Sequence, residues 1–176
     1  RRIFAPRPEK ATARTLYDAI VRAARQPDLY GDKGVPDTLD GRFELVVLHT
    51  ALVIIELKNA GGELAGAVSQ SLFDTMFDDF DAAMRELGVG DSGVGKKIRF
   101  MAEGFYGRAK GLDEVLRADD DSAGLQDFLS RNVLASDSVD TRAERLAVYV
   151  NSAHAALAAQ GGDALAAGAP PAFPAA

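Results

Sequence analysis

Residues 41–58 read GRFELVVLHTALVIIELK, and what they form decides the fold. Val46, Val47, Val53, Ile54 and Ile55 are β-branched and would suit a buried strand. Eighteen residues is long for one strand, however, and no turn signal interrupts them. A helix that is apolar nearly all round, wet only at Glu44, Glu56 and Lys58, fits the pattern better. Such a helix belongs at the centre of a bundle.

Working outward, the flanks agree with that reading. Upstream lies a connector dense in Gly, Pro and Asp, DLYGDKGVPDTLDGRF, in which Thr38 or Asp40 can cap the central helix. Before it, Leu16, Ile20, Ala23 and Ala24 recur at helical spacing from Thr12, and Pro27 closes the run. Residues 1–11, with Pro6 and Pro8, are expected to form an extended arm. Downstream, Gly61 and Gly62 break the chain. Residues 63–87 then carry Leu64, Val68, Leu72, Met76, Phe80 and Leu87 on one face, and 92–117 carry Ile98, Met101, Phe105, Ala109, Leu112 and Leu116. Further helical runs span 123–134 and about 140–160, and GGDALAAGAPPAFPAA at 161–176 is low-complexity and expected to be disordered. The predicted architecture is all-α: a single compact bundle of about six helices over residues 12–160, with disordered termini.

The totals bound the function. A chain of 176 residues fits one domain and buries enough surface to need no staples. The absence of cysteine removes disulfides, thiolate metal sites and thiol catalysis. A net charge of −6 argues against a nucleic-acid binder acting through its whole surface. The most apolar run, 46–55, is too short to span a bilayer, so membrane contact is expected to be peripheral.

One stretch imitates a nucleotide site. In GVGDSGVGKK, residues 88–97, Gly90, Gly95 and Lys96 fall in register with a phosphate-binding loop, but Lys97 stands where a hydroxyl should hold magnesium. The same stretch matches a dinucleotide fingerprint through Gly88, Gly90 and Gly93. Both motifs need a preceding strand, and the preceding FDTMFDDFDAAMREL has helical spacing. No nucleotide is expected. The stretch reads instead as a turn between helices, with Gly88 past the end of one and Asp91 or Ser92 capping the next. Asp74, Asp78, Asp79, Asp81 and Glu86 against Arg85 leave residues 74–86 at −4, whereas Lys96, Lys97, Arg99, Arg108 and Lys110 against Glu103 leave 96–110 at +4. An antiparallel hairpin lets these faces pair. Lys96 and Lys97 nevertheless lie in a first helical turn, where the macrodipole disfavours cations. With the glycines they form a candidate anion- or membrane-facing loop.

No catalytic constellation is visible. Asp74, Asp78 and Asp81 share a helical face but lack a second acidic motif, so they read as a solvated or salt-bridged face and no metal is expected. His49 sits in the apolar segment as a hydrogen-bonded core residue, and His154 has no acidic neighbour at helical spacing. Ser69 lies in AVSQS, which is no nucleophile elbow. Phe73, Phe77, Phe105 and Tyr106, with Met76, Met84 and Met101, read first as core. Their second reading is a Met- and Phe-lined groove for an apolar client segment, set among helices 41–58, 63–87 and 92–117.

Two stretches, LYDAIVRAARQPDLYGDKGVPDTLDGRFELVVLH at 16–49 and QSLFDTMFDDFDAAMRELGVGDSGVGKKIRFMAEGFYGR at 70–108, resemble the ubiquinol–cytochrome c chaperone family over roughly residues 12–134. The family pattern falls on Val35, Pro36, Asp37, Thr38, Asp40, Gly41, Arg42 and Phe43. It continues through Gln70, Phe73 and Asp74, then Gly88, Asp91, Gly95, Lys96 and Lys97, and ends with Phe105, Tyr106, Gly107 and Arg108. The resemblance implies a non-enzymatic assembly factor without cofactor, whose client is newly made cytochrome b or another apolar membrane-protein segment. By family analogy it also implies contact with the ribosome. A bacterial member, at the cytoplasmic face of the inner membrane, is the expected setting. The rival readings are a lipid- or anion-binding adaptor and a nucleotide-binding protein using residues 90–97.

Overall fold

The apolar segment is a helix, α2 (Leu39–Ala60), and every residue from Leu45 to Leu57 in it is buried. The computed structural model describes residues 7–176, and in it α2 touches five other helices. These are α1 (Pro8–Ala24), α3 (Gly62–Glu86), α4 (Asp91–Arg117), α6 (Arg142–Gln160) and α7 (Gly162–Ala166). The remaining helix, α5 (Ala123–Asn132), packs between α4 and α6. A 3-10 turn, Pro27–Leu29, follows α1, and the described residues contain no strand beyond an isolated bridge between Tyr30 and Val35. The all-α expectation holds.

Local chemistry places the helix ends. Thr38 caps α2, its hydroxyl accepting the Gly41 N–H at 3.1 Å, so of the two candidates Thr38 is the cap. Gly61 and Gly62, at φ +70° and +89°, separate α2 from α3 in a conformation that costs other residues strain. α3 ends in a Schellman turn: Gly88 (φ +81°) donates to Arg85 O at 3.0 Å and Val89 to Met84 O at 3.1 Å. Tyr17 of α1 donates its hydroxyl to Asp79 of α3 at 2.6 Å, and burial pushes its pKa well up.

Four expectations are corrected. α1 begins at Pro8, a residue that suits a first helical turn, so residues 8–11 are not an extended arm; residues 1–6 lie outside the described ones. The C-terminal stretch is not disordered: Leu165 and Ala166 of α7 are buried, and the residues after it pack on the bundle. Composition misled because small side chains permit the close approach this stretch makes. A Cβ on Gly162 would fall 2.1 Å from the Glu56 carbonyl oxygen. Neither Asp91 nor Ser92 caps α4; Gly90 stands at that position, and the Asp91 carboxylate pairs with Arg85 instead. Finally, the charged faces of α3 and α4 do not pair along the hairpin. Lys97 reaches Asp40 of α2 at 2.6 Å and Arg108 pairs with Glu44 of α2, because the central helix offers carboxylates beside α4.

Candidate binding cleft

The α3–α4 hairpin is filled at one end and open at the other. Toward the 87–90 turn, Phe73, Phe77 and Phe105 pack edge to face at 4.7–6.3 Å, and Phe43 stacks on Phe80 at 4.3 Å. At the other end the α3 residues that face the opening are Gly62, Ala65, Gly66 and Ser69, which are too short to reach across. A cleft of about 940 Å³ opens there among α2, α3 and α4. Ile54, Ile55 and Leu57 form its floor, Tyr106 and Ala109 its α4 wall, and Lys58, Lys110 and Arg117 its rim.

The rim is polarised. Arg117 donates to Asp113 at 2.9 Å and to Asn59 at 3.1 Å, tying the end of α4 to the end of α2. Lys58 and Lys110 are exposed and make no ion pair among the described residues. An apolar floor under a cationic rim suits an apolar segment flanked by acidic groups, and offers no pair of groups poised for bond chemistry.

The seven side chains expected to line a groove divide. Met76, Phe77, Met84 and Phe105 are core and line no part of this cleft. Phe73 and Met101 are half-buried, and Tyr106 is half-exposed in the cleft wall, stacked on Phe73 at 5.2 Å. The cleft thus lies among the three helices expected but uses mostly other residues. Its small-residue side on α3 carries no hydrophobic signal, so periodicity passed over it. Phe100, 79% exposed, was also missed. It borders a smaller groove of about 370 Å³ with Val47, Met101 and Glu103, and it falls off the α4 stripe.

The glycine loop is shorter than its motif. Helix α4 begins at Asp91, and Val94 N–H already donates to Gly90 O at 3.0 Å, so Asp91, Ser92, Gly95, Lys96 and Lys97 are helical and form no cradle. Lys96 is exposed, as are Leu87 and Val89 in the turn. The residues of the family pattern around 35–43 build the entry to α2. A Cβ on Gly41 would fall 2.0 Å from Pro36 O, Arg42 donates to Asp37 at 2.7 Å, and Val35 and Phe43 are core. Gln70 donates to Asp74 at 3.0 Å, one turn apart on α3. Glu44 and Arg108 are both half-buried; burial holds the Glu44 pKa above its ordinary value while Arg108 draws it back.

His49 is the core histidine expected. Its Nδ1–H donates to Leu45 O at 2.6 Å, which leaves Nε2 to accept from the Tyr149 hydroxyl at 2.7 Å. Burial lowers its pKa to about 4 and raises that of Tyr149 to about 12. His154 does have an acidic neighbour, through tertiary contact: Glu56, buried rather than wet, places Oε1 3.8 Å from His154 Nδ1. Helical spacing cannot show a pair between α2 and α6. The described residues hold no group of three or more metal-ligating side chains, and no helix among them is long and apolar enough to cross a membrane.

Residues 32–173 match the family model described as Ubiquinol-cytochrome C chaperone, so the match begins later than the resemblance did and extends through α6 and α7 as far as Phe173. The chain is 26% identical over 142 residues to the ubiquinol-cytochrome-c reductase complex assembly factor 1 of Xenopus laevis, covering 80% of this chain and 70% of that protein. It is 25% identical to the Mus musculus protein of that name, spanning 47% of its length. The crystal structure of the Cbp3 homolog from Brucella abortus superposes with a TM-score of 0.78 at 34% identity, over 93% of this chain and 89% of that one.

Proposed function

The chain belongs to the ubiquinol–cytochrome c chaperone family, and from that premise we propose that it is a non-enzymatic assembly factor for the ubiquinol–cytochrome c reductase complex. The observation that carries this reading is the family match over residues 32–173, which includes all three helices around the cleft. The cleft supplies the physical means. Ile54 and Ile55 at its base, with Ala65, Ala109 and the half-exposed Tyr106 at its walls, offer an apolar bed for a membrane-protein segment that has left the ribosome but not yet packed with its partners. The client in this reading is cytochrome b, and Lys58 and Lys110 select acidic residues flanking its apolar stretch.

Membrane contact, in the same reading, is made at the inner membrane by the α3–α4 turn. There Leu87, 65% exposed, and Val89 accompany the cationic Lys96. Flotation with anionic liposomes checks this: Lys96→Glu with Leu87→Ser is expected to lower the bound fraction several-fold, and an unchanged fraction contradicts it.

The cleft has its own test. A Cβ on Gly66 meets no atom within 4 Å, so Gly66→Trp fills the cleft without disturbing the bundle. Removing a helical glycine adds about 0.5 kcal/mol of stability or more. The variant is expected to fold at least as well as the wild type and to lose co-purification with cytochrome b. Undiminished co-purification excludes the cleft as the client site.

A further inference from the structure

The segment after α7 makes contacts of a kind found nowhere else in the described residues. α7 ends in a Schellman turn, with Gly168 at φ +99° donating to Leu165 O at 3.0 Å and Ala169 donating to Ala164 O at 3.0 Å. The turn sends residues 169–176, APPAFPAA, back across α6 and α1 without helix or strand. Three prolines stiffen this segment and remove three of its N–H donors.

Two glutamine side chains read the backbone polarity that is left. Gln160, at the end of α6, donates to Pro170 O at 2.7 Å and accepts the Ala172 N–H at 3.0 Å. Gln26, just past α1, donates to Pro174 O at 3.3 Å and accepts the Ala176 N–H at 2.9 Å. Each amide therefore engages a carbonyl and the N–H two residues on, using both its donor and its acceptor. Between the clamps Phe173 turns inward, its ring edge-on to His49 with centroids 5.0 Å apart.

The fit is specific in its hydrogen bonds but loose in its packing. A void of about 490 Å³ remains between the segment and α1, beside Asp18 and Arg22, and another of about 230 Å³ lies between its end and α6, beside Tyr149 and Arg145. Ala172, Ala175 and Ala176 face solvent. A tail serving only to complete a core would fill its groove. Paired backbone readout, one aromatic anchor and unfilled walls describe instead a recognition groove holding a ligand of modest fit.

We propose that the groove between α1 and α6 is a binding site for extended, proline-rich polypeptide segments with an aromatic anchor, and that residues 169–176 occupy it as a reversible intramolecular ligand. A partner bearing such a segment engages the groove by displacing this latch, and pays in affinity for the fraction of time the latch is closed. The site is separate from the cleft and does not rest on the assembly function.

Two measurements on the full chain test it. The first titrates a blocked peptide of the sequence GAPPAFPAA against the wild type and against Phe173→Ala, whose own latch lacks its anchor. The variant is expected to bind about tenfold tighter or more, since its groove is open more of the time. The same peptide with glycine for proline should bind far more weakly. Equal affinities in the two proteins, no binding to either, or equal binding of the glycine peptide overturns the proposal. The second follows amide hydrogen exchange in Gln160→Ala, which removes one clamp only. Faster exchange at both Ala172 and Ala176 shows the segment releasing as a unit; acceleration at Ala172 alone overturns the latch.

Discussion

Glu44 and Arg108 show how much a single residue of the family pattern carries. Their ion pair joins α2 to α4 where both side chains are half-buried, so Arg108→Ala leaves a half-buried carboxylate without its partner. A loss of about 1–2 kcal/mol is expected at pH 7, less than for a fully buried pair. The sign with pH follows from Glu44. Its folded pKa already lies above the ordinary value, and losing Arg108 raises it further. A raised folded pKa favours the folded state at low pH, and that stability is lost as pH rises through it. Urea midpoints of the variant and wild type should therefore converge as pH falls toward 4. His49 acts in the opposite sense. Its pKa is lowered to about 4 when folded, against about 6.5 unfolded, so its contribution is complete above pH 6.5 and lost on descent to pH 4. Wild type is expected to lose about 3 kcal/mol more than His49→Gln over that range, measured by denaturant unfolding at each pH.

At the scale of elements, the joints matter most. Gly88→Ala places a side chain at φ +81° and should cost about 1 kcal/mol by thermal unfolding, with the helices otherwise intact. Gly162→Ala drives a Cβ to 2.1 Å from the Glu56 carbonyl and parts α7 from α2; a loss of about 3 kcal/mol is expected, with the C-terminal segment released. The contrast explains what was legible in the residues. α2 was readable because length and uninterrupted apolarity exclude a strand, and α3 and α4 because their core faces repeat at helical spacing. Leu64 and Leu87 had the right spacing but lie exposed at helix ends, where the stripe runs past its partners. The ordering of 161–176 was not readable. It depends on Gly162 touching α2 and on Gln26 and Gln160 touching distant backbone, contacts that leave no period in the chain. The cleft was legible as a place among three helices but not as residues, because absent side chains make it.

The whole molecule is a helical bundle, one side of which stays unfilled, and it belongs to a family of assembly factors. The cleft has an apolar floor under a cationic rim, and in the proposed reading it holds a segment until that segment packs elsewhere. The family match spans the cleft helices and reaches Phe173 within the latch, whereas α1 and Gln26 lie before its first residue. Gly66→Trp separates holding from folding, and the peptide titration separates the latch from both. The most direct test of the central claim is the reduced-minus-oxidised cytochrome spectrum of membranes from a strain lacking this protein. A marked loss of the b-type signal of the ubiquinol–cytochrome c reductase complex is expected, restored by the wild-type chain and not by Gly66→Trp. A normal spectrum in the deletion strain would contradict it.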